Sequence, residues 1–168
     1  MEKGLNVRRF FKYVFYGVAG LVVLLSGVVM FMLFGPMPDY ILSARHRLPG
    51  TELELSVELK PIHRLLSEFE RKLVLSGSNQ QRIEQRMFVD SGGYTRTNLY
   101  STQDGNFLVR GFFDGWLIRA RPVEIAEIEN ATKLRANFLG AFDWTSDREW
   151  RFIPAADRAE QTLTPPGG

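Results

Sequence analysis

Hydrophobic positions along the chain follow two different patterns. A continuous apolar run comes first, because the 23 residues from Tyr13 to Gly35 include no charged side chain. Between Thr51 and Pro154, short stretches instead alternate apolar and polar positions and are interrupted by Gly, Asp and Asn. The first pattern predicts one long helix, and the second predicts short strands joined by tight turns.

The apolar run is long enough to cross a membrane. At about 1.5 Å per residue a helix of this length covers roughly 34 Å, slightly more than the hydrocarbon core of a bilayer. The apolar part of a secretory signal has only about 7–15 residues and is followed by a small-residue cleavage site. The segment FGPMPDY, which follows here, offers no such site. We therefore interpret residues 13–35 as an uncleaved transmembrane helix rather than a signal peptide.

Basic residues flank this run unequally. Four of them lie within residues 1–12, whereas the fifteen residues after Gly35 contain only Arg45 and Arg47. Lys and Arg near a membrane helix favour the cytoplasmic side. The sequence therefore predicts a single-pass protein of the cell (inner) membrane, with its N-terminus in the cytoplasm. The 133 residues from Pro36 onward would lie outside, in the periplasm if the cell is bacterial.

Charge and cysteine content restrict the function of the outer part. The sequence pI of about 9.0 comes from the N-terminal flank, since the residues after Gly35 include 17 basic and 18 acidic side chains. This balance does not favour nucleic-acid binding. The absence of cysteine excludes disulfides and thiolate metal sites. His46 and His63 lack metal-ligand spacing, so we expect no cofactor.

The first strand is predicted by strict alternation in TELELSVELK, residues 51–60. Its apolar positions should face a core, and its polar positions should face solvent. The apolar set is Leu53, Leu55, Val57 and Leu59, and the polar set is Glu52, Glu54, Ser56 and Glu58. The next segment fits both periods, and for it we predict a short helix from Ile62 to about Glu70, then a strand through Leu75.

Strand signals then recur about every ten residues. Their turns are predicted at Gly92-Gly93, Asp104-Gly105, Asp114-Gly115 and Glu129-Asn130, and the last strand at Arg148–Pro154. About eight strands in this order predict a mainly antiparallel β-domain, either a meander or barrel-like, with one short helix at most. The predicted organisation is a cytoplasmic flank (1–12), a transmembrane helix (13–35), a stalk (36–50), the β-domain (51–154) and a polar tail (155–168).

Catalytic motifs are sparse. The nucleophile pattern GxSxG is absent, and SGSNQ at residues 76–80 only approaches it. The paired carboxylates at Glu52, Glu54 and Glu58 fit the solvated face of a strand better than glycoside chemistry. We therefore expect a non-catalytic protein.

Two features point to partners. Within the apolar run, Gly17, Gly20, Leu24 and Gly27 follow alternating steps of three and four residues, the spacing of left-handed helix packing. Farther along, Trp144 lies in the turn-like segment DWTSD beside Arg148 and Arg151. It is either a core residue or, with Arg148, part of a docking site.

The sequence thus predicts an accessory or assembly subunit of a larger membrane complex, respiratory or photosynthetic in type. Its partners would be other membrane-protein subunits and the lipid bilayer. The alternative is a membrane-tethered β-barrel that binds a lipid or another apolar ligand. A filled core with an exposed apolar patch favours the subunit, whereas an unfilled apolar interior favours the ligand binder.

Overall fold

The structure is a computed structural model that describes residues 7–36, 41–63, 66–78, 81–93, 95–129 and 135–163. The chain divides into two compact units, residues 1–37 and residues 38–168. Within the described ranges the first unit contains one helix, and the second contains only strands and their connections. These elements are α1 (Val7–Phe34), β1 (Leu42–Arg47), β2 (Glu54–Pro61), β3 (Phe69–Ser76), β4 (Arg82–Arg86), β5 (Thr97–Thr102), β6 (Phe107–Arg110), β7 (Gly115–Ala120), β8 (Val123–Glu127), β9 (Ala136–Trp144) and β10 (Trp150–Pro154).

Helix α1 confirms the long helix predicted from the apolar run. It begins at Val7 rather than at Tyr13, because Arg and Lys are good helix formers and do not end a helix. The 24 residues from Phe10 to Leu33 are long and apolar enough to span a membrane, and none of them is buried within the chain. A signal sequence would meet the same criteria of length and composition.

The ten strands form two antiparallel sheets. Sheet A has the order β1-β2-β3-β4, and sheet B has the order β10-β9-β5-β6-β7-β8. All ladders are antiparallel, as the sequence predicts. The edges of the sheets also approach each other, because β1 lies near β10 and β4 lies near β8. The second unit is therefore a two-layered β-domain.

The space between the sheets is filled by apolar side chains. The predicted inward positions Leu53, Leu55, Val57 and Leu59 are all buried. They pack into one core with residues of sheet B, among them Leu99, Val109, Trp116, Ile118 and Phe142. The indole Nε1 of Trp150 donates a hydrogen bond of 2.9 Å to the carbonyl of Val57 and so joins the layers.

Three predictions for the first half of this domain are wrong. The stalk predicted for residues 36–50 contains β1, which pairs with β2 along its whole length. The described residues of the predicted helix from Ile62 to Glu70 are not helical, and β3 already begins at Phe69, because the alternation that continues through Leu75 determines the structure there. Ser56, predicted to face solvent, is buried, since Arg45 and Val74 lie directly beside it on the neighbouring strands.

The two ends of the β-domain differ in their connections. The chain enters β1 at the end where β2 finishes and β3 begins, since Leu42 pairs with Leu59. The β2–β3, β4–β5, β6–β7 and β9–β10 connections lie at this end, which we call the proximal end. The β1–β2, β3–β4, β5–β6 and β7–β8 turns lie at the opposite, distal end.

Candidate interaction surfaces

One face of α1 carries the small residues predicted to pack against a partner helix. Gly17, Gly20 and Gly27 each face open space, since a Cβ atom added at any of them would meet nothing within 4 Å. Leu24, the remaining member of this set, is 64% exposed. The described part of the chain therefore leaves this glycine face uncovered, and a second helix could approach its backbone closely.

The proximal end of the β-domain carries exposed apolar side chains. The large apolar residues exposed on the described part of this domain are Ile41, Ile62, Leu66, Phe88, Val89 and Phe113. Each of them precedes β1 or lies in a proximal connection. The rings of Phe88 and Phe113 contact each other with centroids 4.8 Å apart, although they belong to different connections. We call these six residues the proximal apolar set.

A buried arginine fixes the backbone beneath this set. Arg71 on β3 is fully buried, and its Nη2 donates a hydrogen bond of 2.5 Å to the Thr97 hydroxyl on β5. Its Nη1 lies 3.9 Å from an Asp114 oxygen that also accepts the Phe88 backbone N–H at 2.7 Å. Asp114 therefore ties the β6–β7 turn to the segment after β4.

Burial and the neighbouring carboxylates shift the pKa of the Arg71 guanidinium in opposite directions. Desolvation lowers the pKa of this guanidinium below its usual value, while Asp114 and then Asp90 raise it. Moving Asp114 away would leave the buried guanidinium less well compensated, so this pair favours the observed arrangement of the two connections that carry Phe88 and Phe113.

The structure places Trp144 and Arg148 in the β9–β10 hairpin at the proximal end. Trp144 is half-buried, with ring centroids 6.0 Å from Phe69 and 5.6 Å from Trp150. It therefore packs at the margin of the core and keeps part of its surface free. Arg148 is exposed in the turn and has φ 61°, the left-handed region that residues other than glycine rarely adopt.

The described part of the predicted polar tail is bound to sheet B. Arg96 Nη2 donates to the carbonyl of Ala159 at 2.9 Å, and Asn98 Nδ2 donates to the carbonyl of Gln161 at 2.9 Å. The Tyr100 hydroxyl donates to Glu160 Oε1 at 2.8 Å. We call residues 155–163 the strap. It covers part of β5, which explains why Asn98 and Tyr100 are buried.

Ion pairs hold the start of the strap. Asp143 on β9 lies 3.3 Å from Arg158 and 3.5 Å from Arg96. Burial lowers the pKa of the Arg96 guanidinium, and Asp143 partly offsets this effect. Burial, followed by the hydrogen bond to Glu160, raises the pKa of the Tyr100 phenol. This face of sheet B is therefore already occupied by the chain itself.

A cleft of about 1310 Å³ lies at the distal end. Its lining comes from turns of both sheets and includes Arg47, Glu52, Asp104 and Arg121. Polar groups dominate this surface, so it does not resemble the apolar interior that the ligand-binding alternative requires. Among the residues that the structure describes, no cluster of three or more His, Asp or Glu side chains is arranged to hold a metal ion.

No protein-family model, no characterised protein and no solved structure matches this chain. Any functional assignment must therefore come from the surfaces of the molecule.

The proximal apolar set is not predicted from the sequence, although the sequence contains one signal for it. Phe88 continues the polar side of an alternating stretch, after Arg82, Glu84 and Arg86. A phenylalanine on the wet face of a strand is a candidate contact residue. Nothing in the spacing of Phe112, Phe113 and Asp114 indicates which of the two rings turns outward.

Proposed function

We propose that this protein is a non-catalytic accessory or assembly subunit of a larger membrane complex. Helix α1 anchors it in the cell (inner) membrane of a bacterium with the N-terminus in the cytoplasm, and the β-domain docks on the periplasmic side. The complex is respiratory or photosynthetic in type. The unequal basic flanks of α1 support this orientation.

The observation that carries the proposal is the uncovered glycine face of α1. A helix that serves only as an anchor does not need its small residues on one side. In lipid, helices associate through close backbone packing, which Gly17, Gly20 and Gly27 permit. The described chain supplies no second helix, so the partner helix must come from another subunit.

The β-domain supports docking rather than ligand storage. Its interior is filled by side chains of both sheets, while apolar side chains and the half-buried Trp144 remain exposed at the proximal end. This combination favours a subunit over the alternative, a tethered barrel for an apolar ligand. Trp144 and Arg148 would contact the partner from the β9–β10 hairpin, since half-buried Trp and exposed Arg are common at the centres of interfaces.

Replacing two glycines of the seam tests the proposal. In Gly20→Leu/Gly27→Leu the added side chains meet open space within the chain, so the variant should fold and insert at the wild-type level. They would hold a partner helix away, and we expect the variant to be lost from the complex. The measurement is co-purification with the wild-type partner set in mild detergent.

The matched control is Val22→Leu/Val29→Leu, which also adds bulk to exposed positions of α1 but lies off the seam. This control should keep its partners. Full co-purification of the glycine variant would mean that α1 is only an anchor.

A further inference from the structure

We infer that the proximal end of the β-domain lies directly on the bilayer, with the proximal apolar set inserted among the lipids. This inference rests on the anchoring role proposed for α1. It assigns a lipid-contact surface to Ile41, Ile62, Leu66, Phe88, Val89 and Phe113.

Exposed apolar residues are unevenly distributed over the described part of the β-domain. Within the described part of the β-domain, every exposed large apolar side chain belongs to the proximal end. The distal turns instead present residues such as Glu52, Asp104 and Arg121. Scattered exposed apolar residues are ordinary on a soluble surface, whereas their collection at one end marks a surface that meets an apolar environment.

The connection between α1 and the β-domain is short. Only eight peptide steps separate Leu33, the end of the membrane-compatible segment, from Ile41. Fully extended, they reach at most about 29 Å. The 131 residues of the second unit should have a radius of gyration of about 14 Å, which corresponds to a sphere roughly 36 Å across. With α1 across the bilayer, the connection is thus shorter than the domain is wide, so the end where it attaches cannot point directly away from the membrane.

The charges and side-chain types of the proximal end favour apolar contact with lipid. Charges of both signs accompany the set, as in the pair between Arg86 Nη2 and Glu70 Oε1 at 2.6 Å. Among the described residues of the proximal connections, acidic side chains outnumber basic ones: Glu68, Asp90, Asp114, Asp147 and Glu149 against Arg96 and Arg148. This end therefore offers no excess positive charge for anionic headgroups, and apolar insertion is the attraction that remains. Phe88 and Phe113 supply large apolar rings of the kind that insert into the boundary between headgroups and acyl chains.

Lipid fits better than a protein partner as the occupant. The chain enters β1 at this end, so the connection keeps the proximal apolar set near the membrane whether or not another subunit is present. An apolar surface that was exposed to water until a protein partner bound it would also promote aggregation.

Single cysteines provide a clean test, because the chain contains none. Phe88→Cys, Ile62→Cys and, as the distal control, Asp104→Cys are each labelled with an environment-sensitive fluorophore. The purified full chain is reconstituted into phosphatidylcholine vesicles without any other protein. Wild-type tryptophan emission in each variant confirms that the β-domain is folded, and two positions guard against a local effect of one substitution.

We expect the labels at positions 88 and 62 to emit at shorter wavelength than the control and to be quenched by nitroxides on the lipid chains. The label at position 104 should stay in water and escape this quenching. Labels at 88 and 62 that are as water-exposed as the control would overturn the inference, even if native membranes protect them, since a protein would then be the occupant. An alkaline wash distinguishes failure of the proposed anchor from failure of lipid contact. A chain that is washed off the vesicles refutes the anchor. A retained chain whose labels at positions 88 and 62 are water-exposed refutes only lipid contact.

Discussion

The side chain of Leu55 is central to the core of the β-domain. It is completely buried on β2, between His46 on β1 and Leu75 on β3. Leu55→Ala should lower the free energy of unfolding by about 2–5 kcal/mol, because it removes apolar contacts and leaves a cavity. Urea unfolding in mild detergent measures this, and tryptophan fluorescence reports the β-domain alone since α1 contains no tryptophan.

The neighbouring Glu54→Ala is the control for this prediction. Glu54 is exposed and lies 3.8 Å from Arg45, an ion pair in water that contributes little to stability. A change of less than about 0.5 kcal/mol is expected. A large loss at Glu54 with none at Leu55 would mean that the strand faces the other way.

Arg148 combines backbone strain with exposure. A left-handed backbone costs a residue with a side chain roughly 1–2 kcal/mol, and glycine avoids this cost. Arg148→Gly should therefore raise the free energy of unfolding by up to about 1 kcal/mol, while it weakens co-purification with the partner set. A variant that is more stable and still fully associated would remove Arg148 from the docking site.

The burial of a single residue could be predicted from the sequence only where one physical rule was enough to decide it. Alternation alone determined that Leu53, Leu55, Val57 and Leu59 are buried, because a strand has only two faces. Ser56 required knowledge of its neighbours on β1 and β3, which sequence spacing does not supply. The burial of Arg71 likewise depends on Asp114, forty-three positions away in the sequence.

Among the elements, the strap offers a pH-dependent test. The pKa of Tyr100 is raised above its ordinary value, so its protonated form is the one favoured in the folded state. The stability it contributes should be fully present below about pH 10 and should be lost as pH rises through the raised pKa. Ionisation would place a phenolate against the Glu160 carboxylate and end the hydrogen bond. Arg110, whose guanidinium lies 4.7 Å from the ring centroid, and Arg96 would offset only part of this repulsion.

Tyr100→Phe provides the comparison for this element. It removes the hydroxyl and should lower stability at neutral pH by about 0.5–1.5 kcal/mol, the net contribution of a typical hydrogen bond. Above about pH 10 its stability should no longer show the alkaline loss assigned to this group. Urea unfolding of both chains across this range measures the difference, and parallel alkaline curves would contradict the role given to Tyr100.

Element types were easier to predict than the arrangement of elements. The apolar run defined α1, and the Asp104-Gly105 and Asp114-Gly115 pairs defined hairpins that the structure contains. Strand β1 was missed because its hydrophobic alternation is weak: LSARHR packs mainly through Ala44 and relies on pairing with β2. The crossover that places β9 beside β5 depends on long-range pairing, which no local pattern records.

At the scale of the whole molecule, the account joins an apolar helix to a filled β-domain with an apolar proximal end. Each unit has a surface that the described chain does not cover. The glycine face of α1 would lie within the bilayer, and the proximal apolar set would lie at the bilayer surface. Under the proposed function, Trp144 and Arg148 would contact a neighbouring subunit from the β9–β10 hairpin. All three roles require that α1 stays attached to the β-domain in the mature protein.

Topology in living membranes is therefore the most direct test of the account. Spheroplasts are treated with protease from outside, and the mass of the untreated mature chain is measured after an alkaline wash of the membranes. We predict a washed membrane fraction that retains the chain with α1 uncleaved, and a β-domain that external protease removes from intact spheroplasts. A mature chain that begins after α1, or a β-domain that becomes accessible only after lysis, would contradict the account.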